Sequence, residues 1–210
     1  MIQQRENWID YVKVFACVLV AVGHFFMSMV ESEILAVTRL YRWFIQSIYY
    51  FHVPLFFVCS GYLYQKKSAV KSFAAWKKNV INKAISLGVP YVVFTTITWI
   101  LKEVFSGAVN TENQSLVVTL LLEPASPYWY LYTLFFAFLI TLTFENRRQA
   151  LVVMLAAIAL KCARMTGILE TNIYAIDQTF SQLIWFAGGM CLCNLTSIAC
   201  AAVITGKKWV

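Results

Sequence analysis

The sequence has few charged residues for its length. Of its 210 residues only 13% are charged, whereas 60% are hydrophobic and the mean hydropathy is +0.68. Soluble domains are about one quarter charged and about one half apolar. Four prolines and eight glycines leave no flexible linker and no low-complexity tract. The composition therefore predicts a single integral-membrane unit over residues 1–210 and argues against a soluble domain.

Acidic residues are also scarce. There are ten of them against seventeen lysines and arginines, which gives a formal net charge of +7. Such a surplus could indicate nucleic-acid binding, but the sequence shows no basic groove interleaved with exposed aromatic residues. Positive charge in alternate short loops is typical of membrane topology instead, so we expect a lipid bilayer and no nucleic acid as partner. Six lysines lie in one connection between apolar runs: Lys66, Lys67, Lys71, Lys77, Lys78 and Lys83.

The six cysteines predict neither a metal site nor a disulfide framework. Cys191 and Cys193 form a C-x-C pair without a second pair or a nearby histidine, and zinc sites need such further ligands. Most of the cysteines lie in or beside apolar runs, where a thiol behaves as a small buried hydrophobe. No small-residue cleavage site follows the first apolar run, so we expect that run to be retained as a span.

Apolar runs of membrane-spanning length divide the chain. A span needs about 20 mostly apolar residues, and the candidates are 9–30, 44–64, 84–105, 128–144, 149–165 and 179–195. A seventh stretch, 196–205, is short for a crossing, and 115–122 is expected to be re-entrant or interfacial. The runs lack the alternation of barrel strands. The sequence thus predicts an all-α, polytopic bundle of six to seven spans, with the N-terminus cytoplasmic because this orientation puts the lysine-rich loop inside.

Two ionisable residues interrupt the first apolar run, and such residues usually mark a functional site. Lys13 and His24 are eleven positions apart, which at about 100° per residue places them on nearly the same helix face, about 16 Å apart along the axis. Asp10 lies one turn before Lys13 and can pair with it. Lys13 could simply extend to the interface, and His24 could be satisfied by a neighbouring helix. Alternatively, His24 is a general base and Lys13 serves the same elongated ligand.

A second polar group lies in the run HVPLFFVCSG, from His52 to Gly61. Pro54 disturbs the helical pattern, and Ser60 with Gly61 permits close approach of another helix. Kinking and packing explain these three residues without a function. His52 is either an interfacial histidine or part of the site.

Three lysines, Lys77, Lys78 and Lys83, precede the third predicted span. Membrane topology alone explains them. They could also bind a cytosolic polyanion, because cations at helix starts hold phosphates. The sequence leaves both interpretations open.

These residues, in this order, resemble the acyltransferase-3 family of membrane acyltransferases. The first helix in that family typically has an Asp, then an Arg or Lys, then ten residues and a His, as at Asp10, Lys13 and His24. The second helix typically reads H-x-P-L-F-F-x-x-S-G, which residues His52–Gly61 match. The resemblance extends over approximately residues 7–195.

Two shorter motifs of the family also have counterparts, W-[FY]-L at Trp129–Leu131 and F-x-x-G at Phe186–Gly189. Two features depart from the family. Its R-x-x-R motif falls on Lys83 and Ser86, and its members usually have more spans than this chain provides.

The resemblance implies an enzyme that moves an acyl group, usually acetyl, from cytoplasmic acyl-CoA to a hydroxyl of an envelope carbohydrate or lipid-linked sugar. Acetyl-CoA would be the donor substrate, without a tightly bound cofactor or a metal, and the location would be the inner or plasma membrane. A transporter or flippase-like protein for envelope precursors, or a non-catalytic truncated remnant, is the alternative. His24 would be the catalytic base, the donor would be bound by Lys13, Lys77, Lys78 and Lys83, and the supporting residues would be Asp10, His52, Ser60, Gly61 and Trp129.

Overall fold

The structure, a computed structural model, describes residues 6–68, 70–108, 114–126, 128–169, 171 and 173–204, without the side chains of residues 108 and 197–204. This part of the chain contains helices and no strand, which confirms the all-α prediction. A π-helical segment (Ala84–Gly88) joins α3 to α4, and a 3-10 turn follows α4. The helices are α1 (Asn7–Glu31), α2 (Arg39–Lys67), α3 (Phe73–Lys83), α4 (Val89–Val104), α5 (Leu116–Leu121), α6 (Trp129–Ile140), α7 (Arg147–Met165) and α8 (Tyr174–Ile204).

Polar residues between the apolar runs set where several helices begin. The first turn of a helix leaves backbone N–H groups without partners, and a Ser, Thr or Asn side chain can accept a hydrogen bond from one of them. Such caps precede α2, α3, α5 and α7, and the capping residues are Thr38, Ser72, Ser115 and Asn146.

Three helical segments of the described chain are long and apolar enough to cross a membrane: α1, α2, and α3 with α4 as one segment over Phe73–Val104. The predicted span 128–144 is wrong in extent. It is the 12-residue helix α6, about 18 Å long against a hydrocarbon core of about 30 Å, because the backbone becomes extended at Thr141. The predicted spans 149–165 and 179–195 lie within α7 and α8. The count of six to seven spans and the cytoplasmic N-terminus stay predictions.

The third span begins earlier than predicted, because the lysine-rich segment is itself helical. α3, the π segment and α4 run without interruption from Phe73 to Val104. Pro90 lies in the first turn of α4, and a proline ring within a helix clashes with the carbonyl group four residues earlier. A π turn widens the helix locally. The π segment contains the residue four positions before Pro90, whose carbonyl group would otherwise clash with the proline ring.

The core of the bundle is the contact of α2 with α8, and two glycines make it possible. A Cβ atom added at Gly61 would lie 2.0 Å from the backbone oxygen of Phe186, and one added at Gly189 would lie 2.0 Å from that of Val58. The backbones of α2 and α8 therefore touch directly at both glycines. The close helix approach predicted from Ser60-Gly61 is confirmed, with α8 as the partner.

Aromatic rings fill the space around this contact. Phe57 and Phe186 are fully buried, and the Phe138 ring of α6 meets the Phe186 ring edge to face with centroids 5.0 Å apart. The buried Tyr64 hydroxyl donates a hydrogen bond to the Thr141 carbonyl at 2.8 Å. The end of α6 is thereby fastened to the end of α2.

Two cations near the end of α7 that faces away from the lysine-rich connection find partners on α8. The Arg164 guanidinium lies 3.2 Å from a carboxylate oxygen of Asp177 and donates to the Ser181 hydroxyl. The Lys161 amino group lies 5.1 Å from the centre of the Trp185 ring. These contacts neutralise or shield two cations that lie within the predicted span 149–165.

We expect Gly61→Ala to lower the free energy of unfolding by about 3 kcal/mol or more, because a methyl group there meets backbone that cannot rotate away. The measurement is the thermal unfolding midpoint of the detergent-purified protein. Gly88→Ala is the matched control, since nothing lies within 4 Å of a Cβ atom at that position. Equal midpoints for the two variants would contradict the direct backbone contact.

Candidate active site

A cavity of about 210 Å³ lies between α1, α2, α6 and the segment just before α6. Its walls are mostly apolar, with both histidines of the protein among them. Sites that hold a whole drug-sized ligand are larger, about 300–1,000 Å³. The cavity therefore suits the reacting ends of two substrates. Its lining residues are Cys17, Val20, His24, Tyr49, His52, Val53, Phe56, Ser126, Trp129 and Tyr130.

His52 is held in one orientation inside α2. Its ring is only 4% exposed, and Nδ1 lies 2.8 Å from the backbone carbonyl oxygen of Ile48. A carbonyl can only accept, so Nδ1 is the donor and carries the proton of the neutral ring. The other ring nitrogen, Nε2, is then an unprotonated acceptor. With Nδ1 as the donor, Nε2 is the end of the neutral imidazole that can accept a proton.

His24 reaches the same cavity from α1. The helices approach closely beside it, because a Cβ atom at Gly23 would lie 3.4 Å from both Ile48 and Tyr49. The Tyr49 ring stands between the histidines, with centroid distances of 6.4 Å to His24 and 4.8 Å to His52. Its hydroxyl donates to the sulfur of Met27 at 2.7 Å. The structure thus brings together the two histidines that the sequence separates.

Lys13 lies on α1 toward the other end of the helix and does not line the cavity. It is within electrostatic range of Lys83, whose amino group lies 4.0 Å from the centre of the Phe138 ring. Lys83 forms no ion pair with a carboxylate among the described residues, and the pair of Lys13 with Asp10 stays a prediction. The positive charge of Lys13 acts on Lys83 at this point of the bundle.

Lys77 and Lys78 occupy a different position from Lys83. Both are exposed on α3, and neither lines the histidine cavity. Lys83, at the end of the same helix, is half-buried. Of the three lysines on α3 predicted to bind the donor, the structure turns one toward the interior and leaves two on the surface.

The remaining supporting residues divide between the cavity and its surroundings. Trp129 lines the cavity beside Tyr130. Ser60 lies one layer behind, where its hydroxyl is within hydrogen-bonding reach of Tyr130. Gly61 contributes packing, through its contact with the backbone of Phe186.

Sequence reasoning missed several lining residues, although a periodic signal marks them. Cys17 and Val20 precede His24 by seven and four positions on α1, and Tyr49 and Phe56 flank His52 at helical spacing on α2. Residues three, four and seven positions apart share a helix face. Counting three, four and seven positions from each histidine would therefore have identified these lining residues.

An unprotonated imidazole nitrogen lies in this mostly apolar cavity, close to aromatic side chains. It can accept a proton from a molecule bound there. No group of three or more His, Cys, Asp or Glu suited to a metal ion occurs in the part of the chain that the structure describes. The chemistry that these side chains offer is that of a general base.

Comparisons with known proteins identify the family of the chain. A family model described as an acyltransferase domain matches residues 6–201. The nodulation protein NolL of Mesorhizobium japonicum is 31% identical over 170 residues, which cover 77% of this chain and 42% of that protein. The chain thus spans about two fifths of the length of this curated relative. No solved structure matches. Because the family model covers nearly the whole sequence, the chain belongs to the acyltransferase-3 family.

Proposed function

We propose that this protein is a membrane-embedded O-acyltransferase. It moves an acyl group, acetyl in the simplest case, from cytoplasmic acyl-CoA to a hydroxyl of an envelope carbohydrate or lipid-linked sugar. The observation that carries the proposal is the convergence of His24 and His52 on one small, mostly apolar cavity. A family of acyltransferases supplies the reaction class.

The proposed reaction has His24 as general base. The acceptor oxygen attacks the thioester carbonyl while the imidazole of His24 takes the hydroxyl proton. The tetrahedral intermediate then collapses, the carbon–sulfur bond breaks, and CoA leaves as a thiolate. The His24 imidazolium returns the proton to that sulfur, so the products are an acyl ester and free CoA. An enclosure with few water molecules favours transfer to the acceptor over hydrolysis.

His52 and Trp129 would position the acceptor. The Nε2 atom of His52 can accept a hydrogen bond, because Nδ1 already donates to Ile48. A second hydroxyl of the sugar bound to Nε2 would orient the reacting hydroxyl toward His24. The Trp129 side chain, also at the cavity wall, offers an apolar face to a sugar ring. Ser60 would act indirectly, by holding the Tyr130 hydroxyl.

Lys13 and Lys83 would hold the charged part of the donor, with Lys77 and Lys78 attracting it from the surface. An anion between Lys13 and Lys83 would relieve the repulsion between the two cations. Lys13 and His24 share α1, about 16 Å apart along its axis. An elongated donor could therefore contact both.

The charge distribution supports a plasma-membrane or inner-membrane location with the N-terminus inside. The ends of α2 and α6 and the starts of α3 and α7 meet at one end of the bundle through hydrogen bonds. Lys66, Lys67, Lys71, Arg147 and Arg148 belong to that end. Cytoplasmic loops carry such an excess of basic residues.

We expect His24→Ala to lower kcat for acetyl transfer by about 10²- to 10⁴-fold, the usual contribution of a positioned general base. His52→Ala should lower activity less, because His52 orients and does not take the proton. The assay follows free CoA and acetylated acceptor in membranes that contain the full chain. Tyr50→Phe is the control, since Tyr50 neighbours His52 in sequence but is 77% exposed.

Full activity in His24→Ala would end the general-base assignment. Movement of an acceptor across the membrane without consumption of acetyl-CoA would contradict the proposed reaction and identify a transporter.

We also expect Lys13→Ala to raise KM for acetyl-CoA strongly, whereas Lys13→Arg should retain activity because the positive charge is kept. Lys83→Ala should act in the same direction. Initial rates at varied acetyl-CoA concentrations separate KM from kcat. Lys161→Ala removes a cation near the opposite end of the bundle and should leave KM unchanged. A Lys13→Ala enzyme with unaltered KM would exclude a donor contact.

A further inference from the structure

The α2–α3 and α6–α7 connections form one surface at the basic end of the bundle, where Lys66, Lys67, Lys71, Arg147 and Arg148 lie. Gln65, near the end of α2, donates its side-chain amide to the Phe144 carbonyl at 2.6 Å and accepts from the Phe144 N–H at 3.3 Å. The Thr143 hydroxyl accepts from the Val70 N–H at 3.0 Å. The α2–α3 and α6–α7 connections are therefore fixed to each other, and the side chains that they carry have defined positions.

Two clefts of about 470 Å³ each lie on this surface and share Lys71. One is polar and is lined by Lys66, Lys67 and Lys71. The other includes the rings of Phe73 and Trp76. Each cleft falls within the range of about 300–1,000 Å³ that holds a small-molecule ligand, unlike the histidine cavity. A single ligand could occupy both.

The lysines of the polar cleft are available to an anion. Lys67 is exposed and forms no ion pair within the described residues. Lys66 pairs with Glu6, and Lys71 pairs with Glu145, whose side chain is 60% exposed. The hydrogen bond from Lys71 lowers the pKa of Glu145, so this carboxylate is ionised at neutral pH. Such exposed pairs contribute little, and a multiply charged phosphate group can displace the carboxylates.

The second cleft offers a stacking surface next to these cations. The Phe73 and Trp76 rings are stacked, with centroids 5.4 Å apart and planes 23° from parallel. The Trp76 indole N–H donates to the Leu139 carbonyl at 2.9 Å, which fixes that ring. Phe73 is 76% exposed and leaves a ring face open. Aromatic side chains beside lysines are the combination that binds a nucleobase and its phosphates.

From this juxtaposition we infer that the two clefts bind the nucleotide end of the acyl donor, with the phosphate on its ribose held by Lys66, Lys67 and Lys71, the base on Phe73, and the diphosphate left for Lys13 and Lys83. The inference rests on the proposed function. It also fits the length of the molecule, because Glu6 and His24 are separated by about 27 Å of α1. Lys13 and Lys83 lie between them. The donor would enter at the basic end and extend its acyl group to the histidines.

A phosphate-bearing lipid headgroup has the same charge and could be drawn to the same lysines. A lipid does not need an aromatic surface continuous with the cations, and it would not distinguish Phe73→Ala from Phe73→Tyr by stacking. Comparing these two variants therefore distinguishes a nucleotide from a lipid headgroup as the ligand.

The test uses the full chain in discs of zwitterionic lipid, with adenosine 3′,5′-bisphosphate as the probe and calorimetry as the readout. We expect saturable binding that weakens roughly two- to fivefold in Lys67→Ala and about fivefold or more in Phe73→Ala. Phe73→Tyr should bind like the wild type. Glu145→Gln should bind more tightly, because it removes a competing carboxylate. Arg42→Ala, which removes an exposed cation from the other end of α2, should change nothing.

Absence of saturable binding to the wild type would overturn the inference, as would equal affinities for wild type, Lys67→Ala and Phe73→Ala. Loss of anionic-vesicle binding in Lys67→Ala, without a change in nucleotide affinity, would identify a lipid site. If acetyl transfer depends on His24 but not on these clefts, the inference fails and the proposed function stands. If the clefts bind the nucleotide and no acyl transfer occurs, the proposed function fails and the site stands.

Discussion

The direct backbone contact between α2 and α8 is the constraint on which the rest of the molecule depends. With Gly61 against Phe186 and Gly189 against Val58, the two helices cannot separate or rotate without losing contact along their length. Without a hydrophobic driving force between helices in lipid, such close packing is what holds a bundle together. A fixed α2 in turn fixes His52, against which α1 brings His24 and α6 brings Trp129.

Polar groups in this bundle are arranged by depth. Exposed lysines crowd one end, Lys13 and Lys83 lie further in, and the histidines lie beyond them. A buried cation is unfavourable unless something compensates its charge. In the proposed function, a phosphate-bearing donor that enters from the basic end would supply this compensation in the order in which the groups occur. The small volume of the last cavity would then admit only the acyl group and the acceptor hydroxyl.

Much of this could be predicted from single helices. The common face of Lys13 and His24, the close approach at Gly61 and the all-α class follow from spacing and composition alone. The extent of α6 could not be predicted, because Thr141 ends the helix inside an apolar run. The meeting of His24 with His52 depends on how α1 packs on α2 at Gly23, and no periodicity within one helix contains that information. The clefts at Lys71 were missed for the same reason, since part of their walls comes from the end of α6 and the α6–α7 connection.

The central claim is that the acyl group of the donor reaches the histidine cavity, and Cys17 in its wall provides a chemical reporter. Bromoacetyl-CoA carries an electrophilic acyl group, and a thiol that it meets displaces bromide to form a thioether that peptide mass spectrometry can locate. The account predicts alkylation of Cys17 that excess CoA suppresses, with little alkylation of Cys162 on α7, although both cysteines are exposed. Equal labelling of both cysteines, or labelling of Cys17 that CoA does not suppress, would contradict it.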